Sequence, residues 1–447
     1  MVRFKFNGIE NTNQYEELIK VFLQPGEYEI SASEAEYIYE YTGDKDAVKR
    51  RLYSDLAALT GKRPKWGILT GIRPVKLAGE LQKSCTHPAE VLQKDYYLHD
   101  SKAALTKEIL DYQRAVCGAP EEGSMSVYIG IPFCPTRCLY CSFTSNQVGE
   151  SEIIRYLEAL HKEIEACGAM LRQDGKKHPI ESVYFGGGTP TTLSAEQLDA
   201  LLTHTAKFFD LSKIREYTVE AGRPDTITKD KIDVLLSHGV DRISINPQTM
   251  KQRTLELIGR KHTVEDVYKA FEIAKACGVP TINTDLIAGL PEETHEDFLQ
   301  NLQEILKLGA DNITLHTLAV KRASKLKELD ENFNYKDELL REMMLRDAHE
   351  ILRSEGYRPY YLYRQKHTSG NTENTGFCKD DKASIYNVRI MEEAQTILAL
   401  GAGGISKVYY PEKNRLERIA NVSNYEIYIQ RIDEMIERKR TGGITEC

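Results

Sequence analysis

Val127-Tyr-Ile-Gly-Ile-Pro-Phe133, followed at once by Cys134-Pro-Thr-Arg-Cys138-Leu-Tyr-Cys141, is the stretch that decides the fold. The first half is apolar and β-branched, which predicts a strand. The second half spaces three cysteines as Cys-x3-Cys-x2-Cys in the loop that leaves it. Three thiolates in one loop can hold three irons of a 4Fe–4S cluster, where most such clusters take four cysteines. The fourth iron is then open to a ligand that is not protein, so chemistry at the cluster is expected. A structural zinc site needs four ligands, and no fourth Cys or His follows nearby. A disulfide would need an oxidising compartment.

Downstream, five more apolar runs alternate with amphipathic helical patterns. They are Val183–Gly186, Tyr217–Ala221, Arg242–Pro247, Thr281–Gly289 and Ile313–Ala319. Ser194-Ala-Glu-Gln197 and Thr263-Val-Glu-Asp266 read as helix starts, the first as a capping box. Gly168 and Gly278 read as helix C-caps, and Cys167 as a small core residue. Six βα units predict an α/β fold, with a parallel sheet covered by helices in an open barrel or doubly wound arrangement.

Two blocks flank this core. Residues 1–120 form an N-terminal accessory block, with helices expected at Glu34–Leu59 and Ala103–Val116, and Pro74 expected near the start of another. A linker-like stretch at 119–124 leads to the core at 125–330. Residues 335–447 mix charged helices with a strand-like Tyr360–Lys366, a polar loop at Asn371–Gly376 and a turn at Gly401–Gly404. Cys378 stands apart as a weak functional candidate.

Bulk properties narrow the function classes. The 447 residues carry a net charge of −8, so no global basic field points to nucleic acid. Met1-Val-Arg-Phe-Lys-Phe lacks an apolar leader, and no run of about 18 apolar residues would span a membrane. Nine irregularly spaced cysteines then fit a reducing compartment, and a cytoplasmic protein is expected.

Polar groups sit at the ends of the expected strands. Tyr184-Phe-Gly-Gly-Gly-Thr-Pro190 ends the second, and its glycines would let backbone amides approach a ligand closely. Glu220 ends the third, Gln248 the fourth, and Asp285 lies in the fifth. Arg260 follows Gln248 by twelve residues. Either Asp285 pairs with a cation such as Arg260 inside the fold, or these groups line one pocket at a barrel mouth, where active sites of such folds lie.

Cys134, Cys138 and Cys141 with Tyr140, together with Gly186-Gly-Gly-Thr-Pro190, resemble the radical S-adenosylmethionine (SAM) superfamily. Tyr128–Cys134, Val219–Asp225, Arg242–Gln248, Ile258–Arg260 and Asp285–Pro291 are similar to the oxygen-independent coproporphyrinogen III oxidases (coproporphyrinogen dehydrogenases). Leu69-Thr-Gly-Ile-Arg-Pro74 and Tyr363-Arg-Gln-Lys366 resemble their longer HemZ-type branch. The resemblance implies a partial (β/α)6 TIM-like barrel, an N-terminal α+β domain and a mostly helical C-terminal domain covering the substrate. By it, Cys134, Cys138 and Cys141 ligate the cluster, and S-adenosylmethionine fills the open iron. Gly186, Gly187, Gly188 and Thr189 would meet its methionine part. Glu220, Gln248, Arg260 and Asp285 would line its pocket, with Ala288 and Gly289 near the adenine and Tyr128 leaning on the cluster site.

The implied reaction is decarboxylation of coproporphyrinogen III to protoporphyrinogen IX, with a flavodoxin or ferredoxin as electron donor; the alternatives are a cluster-containing haem-trafficking protein without catalysis, or another radical SAM enzyme acting on a tetrapyrrole. A monomer free of membrane and nucleic acid is expected. Arg364 is the expected propionate partner, with Lys321, Arg322 and Lys366 as further cations. Two positions depart from the oxidase pattern. Phe143 replaces a cysteine, as in the related haem-chaperone branch, and Gly130 stands where histidine is common.

Overall fold

The computed structural model describes residues 1–71, 73–141, 145–173, 175, 178–318, 338–364 and 372–445. Phe143, Lys321, Arg322 and Lys366 lie outside the described residues.

The N-terminal block opens with a small parallel sheet. Strand β1 (Val2–Asn7) pairs with β2 (Tyr28–Ile30) on one side and β3 (Tyr37–Glu40) on the other. Helices 13–22 and 45–60 cover it, burying Phe4, Leu18, Tyr39 and Leu52. The helix expected over Glu34–Leu59 begins only at Lys45. Tyr37-Ile-Tyr-Glu40 is aromatic and β-branched and joins the sheet. Gly43, at φ 95°, breaks the chain before Asp44 caps the helix through the Asp46 amide. Pro74 starts helix 74–82 as expected.

The core is one eleven-stranded sheet. Strands β4 (Met125–Ile131), β5 (Ile180–Gly187), β6 (Glu216–Glu220), β7 (Arg242–Ser244), β8 (Thr281–Ala288) and β9 (Asn312–Thr317) run parallel, each paired with the next. Strands of the C-terminal block continue both edges. Beyond β9 come β11 (Glu373–Cys378) and β10 (Arg358–Arg364), antiparallel. Beyond β4 come β12 (Thr396–Leu400), parallel to it, then β13 (Ile405–Tyr410) and β14 (Arg415–Ala420) as antiparallel neighbours. Among the described residues the ladder ends at β10 and β14. The C-terminal block also carries helices 338–354, 385–392, 425–430 and 432–441. Glu373–Gly376, expected as loop, is strand because its backbone pairs on both sides.

Alternation along the strands gives the sheet two different faces. Val127, Ile129, Val183, Phe185, Val219 and Ile313 are buried among the outer helices. The other residues of the same strands are polar or small: Ser126, Tyr128, Gly130, Ser182, Tyr184, Gly186, Thr218, Glu220, Asp285, His316. Cross-strand bonds place these on one inner face, as between Ser182 and Ser126 (2.7 Å) and between Tyr184 and Glu220 (2.5 Å). Helix 385–392 plugs the lower part of that face. Its first turn is anchored on buried Glu216, which accepts bonds from Ser384 Oγ (3.0 Å) and the Ile385 amide (2.5 Å). The plug seats the Tyr386 ring against Tyr184, with centroids 4.4 Å apart.

Helix punctuation follows local chemistry. Both capping boxes, Ser194–Gln197 and Thr263–Asp266, are formed. Gly278 turns the chain at φ 79°. Gly168 is not a cap: helix 150–173 runs through it, and a Cβ there would stand 2.5 Å from the Phe208 carbonyl. Close helix packing, not a terminus, requires that glycine.

Candidate functional site

The cysteine loop leaves the C-terminal end of β4 and is fixed from four sides. The Cys134 amide donates to Asn146 (3.0 Å), and the Asn146 amide donates back to Pro132 (2.8 Å). The Leu139 amide donates to Ile258 (2.9 Å). Arg223, almost fully buried, donates to the Thr136 hydroxyl and to both oxygens of Asp225 (3.0 and 3.1 Å). The Gly186–Thr189 turn closes the fourth side. Gly188 and Thr189 donate their amides to Ile131 (2.8 Å) and Phe133 (2.7 Å). A Cβ at Gly188 would meet the Phe133 oxygen at 2.5 Å. Those two amides therefore bind the loop's own backbone, and the glycine lets the two segments touch. The Thr189 hydroxyl lies 3.3 Å from the Cys134 sulfur.

The described cysteines are free thiols, so the loop holds no disulfide. Among the described residues no three His, Cys, Asp or Glu side chains converge to hold a single metal ion. The chemistry of the loop fits a 4Fe–4S cluster instead: three soft sulfur donors share it, and buried cations stand beside them. Arg260 acts electrostatically on Cys138 and Cys134, and Arg223 on Cys134. Burial pushes the Cys134 thiol up to about 11, so loading the site must release its proton.

Beside the loop, the inner face carries a cluster of polar side chains above the Tyr386 plug. Tyr128, Tyr184 and Tyr386 stack as one aromatic wall. Glu220 keeps partial solvent contact although protein surrounds it. It accepts from Tyr184 (2.5 Å) and from the Gly187 amide. Burial, reinforced by the charge of Asp285, raises its carboxyl to about 7. Asp285 accepts from Asn283 Nδ2 (3.1 Å) and faces His316 Nε2 at 3.4 Å. His316 Nδ1 lies 3.1 Å from the Tyr363 hydroxyl.

Gln248 ends this part of the wall with φ 72°, a left-handed conformation that non-glycine residues seldom adopt. Its amide donates to Asp285 and its carbonyl accepts from Ile287, which together lock it to β8. Backbone held in this way clusters at functional sites.

Of the two alternatives for Asp285, a pair with Arg260 does not form. Arg260 is buried and donates instead to the carbonyls of Asn246 (2.7 Å), Pro247 (3.2 Å) and Gly222 (2.8 Å), tying the ends of β6 and β7 beside the cysteine loop. Ala288 is buried at the end of β8. The space over Gly289 is filled by the Arg341 stem, 2.7 Å from where a Cβ would be, so protein packing accounts for that glycine.

Arg364 departs from its expected role. Its guanidinium is buried, donates to the Leu69 and Gly71 carbonyls and lies 5.1 Å from the Trp66 ring centroid. It docks the N-terminal block and does not face the polar cluster. Cys378 is buried, 3.1 Å from the Tyr112 hydroxyl.

The structure thus brings Cys134, Thr189, Tyr128, Glu220, Gln248 and Asp285 to one end of the sheet; Arg364 reaches the same end on edge strand β10 but turns to Leu69 and Gly71. Sequence reasoning missed Arg223, Tyr184, His316, Tyr363 and Tyr386. A signal existed for His316 and Tyr184: each is a polar break in the alternation of an apolar strand.

The family description Radical SAM superfamily matches residues 128–305. The oxygen-independent coproporphyrinogen-III oxidase-like protein HemZ of Bacillus subtilis is 41% identical over 86% of this chain and 78% of its own length. The heme chaperone HemW of Lactococcus lactis is 36% identical over 44% of this chain and 49% of its own. The solved structure of coproporphyrinogen III oxidase (HemN) from Escherichia coli has a similar fold, with a TM-score of 0.55 at 22% identity over 73% of each chain.

Proposed function

We propose that this chain, which belongs to the radical SAM superfamily and within it to the HemZ group of oxygen-independent coproporphyrinogen-III oxidase-like proteins, oxidatively decarboxylates propionate side chains of a coproporphyrinogen III-type tetrapyrrole. One observation carries the reading. The cysteine loop and a polar cluster of Glu220, Asp285, His316 and Tyr363 share one end of the inner face.

Cys134, Cys138 and Cys141 would hold a 4Fe–4S cluster, which with S-adenosylmethionine would supply a radical able to take a hydrogen atom from the propionate β-carbon. The propionate then loses carbon dioxide and passes one electron to an external acceptor, leaving a vinyl group. Two such events give protoporphyrinogen IX. Glu220 and Asp285 are acceptors for the ammonium and hydroxyl groups of S-adenosylmethionine. Gly186, Gly187 and Gln248 shape the wall around them. Arg260 and Arg223 hold positive charge behind the loop. A small electron-transfer protein such as flavodoxin or ferredoxin would deliver the reducing electron. The protein would work in the cytoplasm as a monomer, without nucleic acid or membrane.

A second reading, haem trafficking without catalysis, draws on the match to HemW, named a heme chaperone. One experiment separates the two. The anaerobically reconstituted protein receives reductant, S-adenosylmethionine and coproporphyrinogen III, and protoporphyrinogen and carbon dioxide are measured. Decarboxylation supports the proposal. Stoichiometric haem binding with no decarboxylation would sink it in favour of trafficking.

A further inference from the structure

Four cations converge on one carboxylate at the junction of the N-terminal block and the β13–β14 edge. Glu393 follows helix 385–392 in a left-handed conformation, φ 53°, and is almost wholly buried. Its Oε1 lies 2.8 Å from Arg73 Nη1, 2.9 Å from Arg418 Nη2 and 3.4 Å from Lys407 Nζ. Its Oε2 lies 3.2 Å from Lys76 Nζ. The cations come from three places: the start of helix 74–82, β13 and β14. The adjacent carboxylate, Glu392, pairs with Arg389 at 3.1 Å. Four positive charges thus share a single negative one.

The surplus leaves physical traces. Lys407 is pushed down to about 8, first by burial and then by Arg73. Burial lowers Arg73 as well, with Arg418 adding to it and Glu393 opposing it. The Arg73 Nε is buried with no hydrogen-bond partner. Buried charge and buried donors both call for compensation. Lys407 also donates to the Ile390 carbonyl (3.0 Å), which supplies a hydrogen bond but no charge, so one carboxylate is left to balance four cations.

We propose that this junction is an oxyanion site, which takes a phosphate- or carboxylate-class group beside Glu393 and thereby fastens the Arg73–Lys76 segment to the hairpin edge of the sheet. The site is distinct from the cysteine loop. Thr396, three residues past Glu393, pairs with Met125 at the start of β4, whereas Cys134 lies beyond that strand's other end. A strand of this length separates them by about 20 Å. The site also gives a role to Arg73 of the Leu69–Pro74 motif, which the polar cluster leaves unused. Two guanidinium groups suit a multi-oxygen anion, since each can donate twice in one plane.

The test uses the full-length protein without cluster. Thermal unfolding is followed in phosphate, citrate and chloride at equal ionic strength. Saturable stabilisation by phosphate or by citrate beyond that of chloride is expected, and whichever acts identifies the class. Arg418→Gln, at a half-exposed position that tolerates change, is expected to weaken the apparent affinity about tenfold. Glu393→Gln removes the internal competitor and should tighten it. If wild type responds to both oxyanions only as it does to chloride, the proposal is overturned. It is equally overturned if Arg418→Gln leaves the affinity unchanged, or if Glu393→Gln folds and binds no more tightly. Should Glu393→Gln fail to fold, the Arg418→Gln comparison decides.

Discussion

The Asp285 carboxylate lies 3.4 Å from the His316 imidazole, whose other nitrogen lies 3.1 Å from the Tyr363 hydroxyl. The chain joins β8, β9 and β10, so the C-terminal block holds the orientation of an acid in the polar cluster. His316→Phe removes the partner and leaves Asp285 with Asn283 alone. We expect affinity for S-adenosylmethionine to fall about tenfold, as when a hydrogen bond to a charged group is lost. Tyr363→Phe should cost less. Equilibrium dialysis reads both, and unchanged affinity in His316→Phe would remove the pair from the site.

Glu220 predicts an unusual pH dependence. Burial and Asp285 raise its carboxyl from 4.5 to about 7. Below pH 4.5 it is protonated in folded and unfolded chains alike. Between 4.5 and 7 the unfolded chain ionises while the folded one keeps its proton, so stability falls as pH rises and the loss is complete above 7. The difference corresponds to roughly 3 kcal/mol. Glu220→Gln retains an acceptor for Tyr184 and removes the titration. Without cofactors it should be about 1–3 kcal/mol more stable than wild type at pH 8 and equal to it near pH 4.5, in urea unfolding. No gain at pH 8 would show that the charge is not buried. Loss of S-adenosylmethionine binding in the same variant would mark a trade of stability for function.

What the sequence made legible was local. The cysteine spacing, the strand expected over Val127–Phe133 and formed at Met125–Ile131, the Ser194–Gln197 capping box and the helix start at Thr263 depend on residues within a few positions of one another. Distant partners account for what was not legible. Tyr37–Glu40 is strand because β1 pairs with it, and Gly168 is helical because Phe208 packs on it. Arg364 looked like a substrate cation in an aromatic strand, and only the docked N-terminal block shows where its charge is used. Tyr386 could not be found from sequence, since its place against Tyr184 depends on a helix anchored by Glu216, 170 residues away.

Arg223 ties the cysteine loop to the end of β6 through Thr136 while Asp225 holds its fork in place. Arg223→Lys keeps the charge but cannot make both contacts. The fold should survive, and the loop should load its cluster less well. Groups that orient metal ligands commonly contribute about 10-fold or more to metal affinity. Iron and sulfide content after limiting reconstitution, with circular dichroism as the control for folding, tests this. Full occupancy in the variant would show that the loop is held without Arg223.

Trp66 is the chain's single tryptophan, and it reports on Arg364. Its ring is buried with the Arg364 guanidinium over one face, and its indole nitrogen donates to Glu373 (3.0 Å). Lys102 also pairs with Glu373, holding that buried carboxylate down to about 2 against the opposing effect of burial. Arg364→Ala removes the cation over the ring and leaves the Leu69 and Gly71 carbonyls without their donor. Cation–ring contact and buried hydrogen bonds together predict a loss of about 2–4 kcal/mol. Trp66 emission should shift to longer wavelength as water reaches the ring. Affinity for a coproporphyrin ligand, measured below the unfolding midpoint, should change little. A variant with normal Trp66 emission and weakened porphyrin binding would return Arg364 to the substrate.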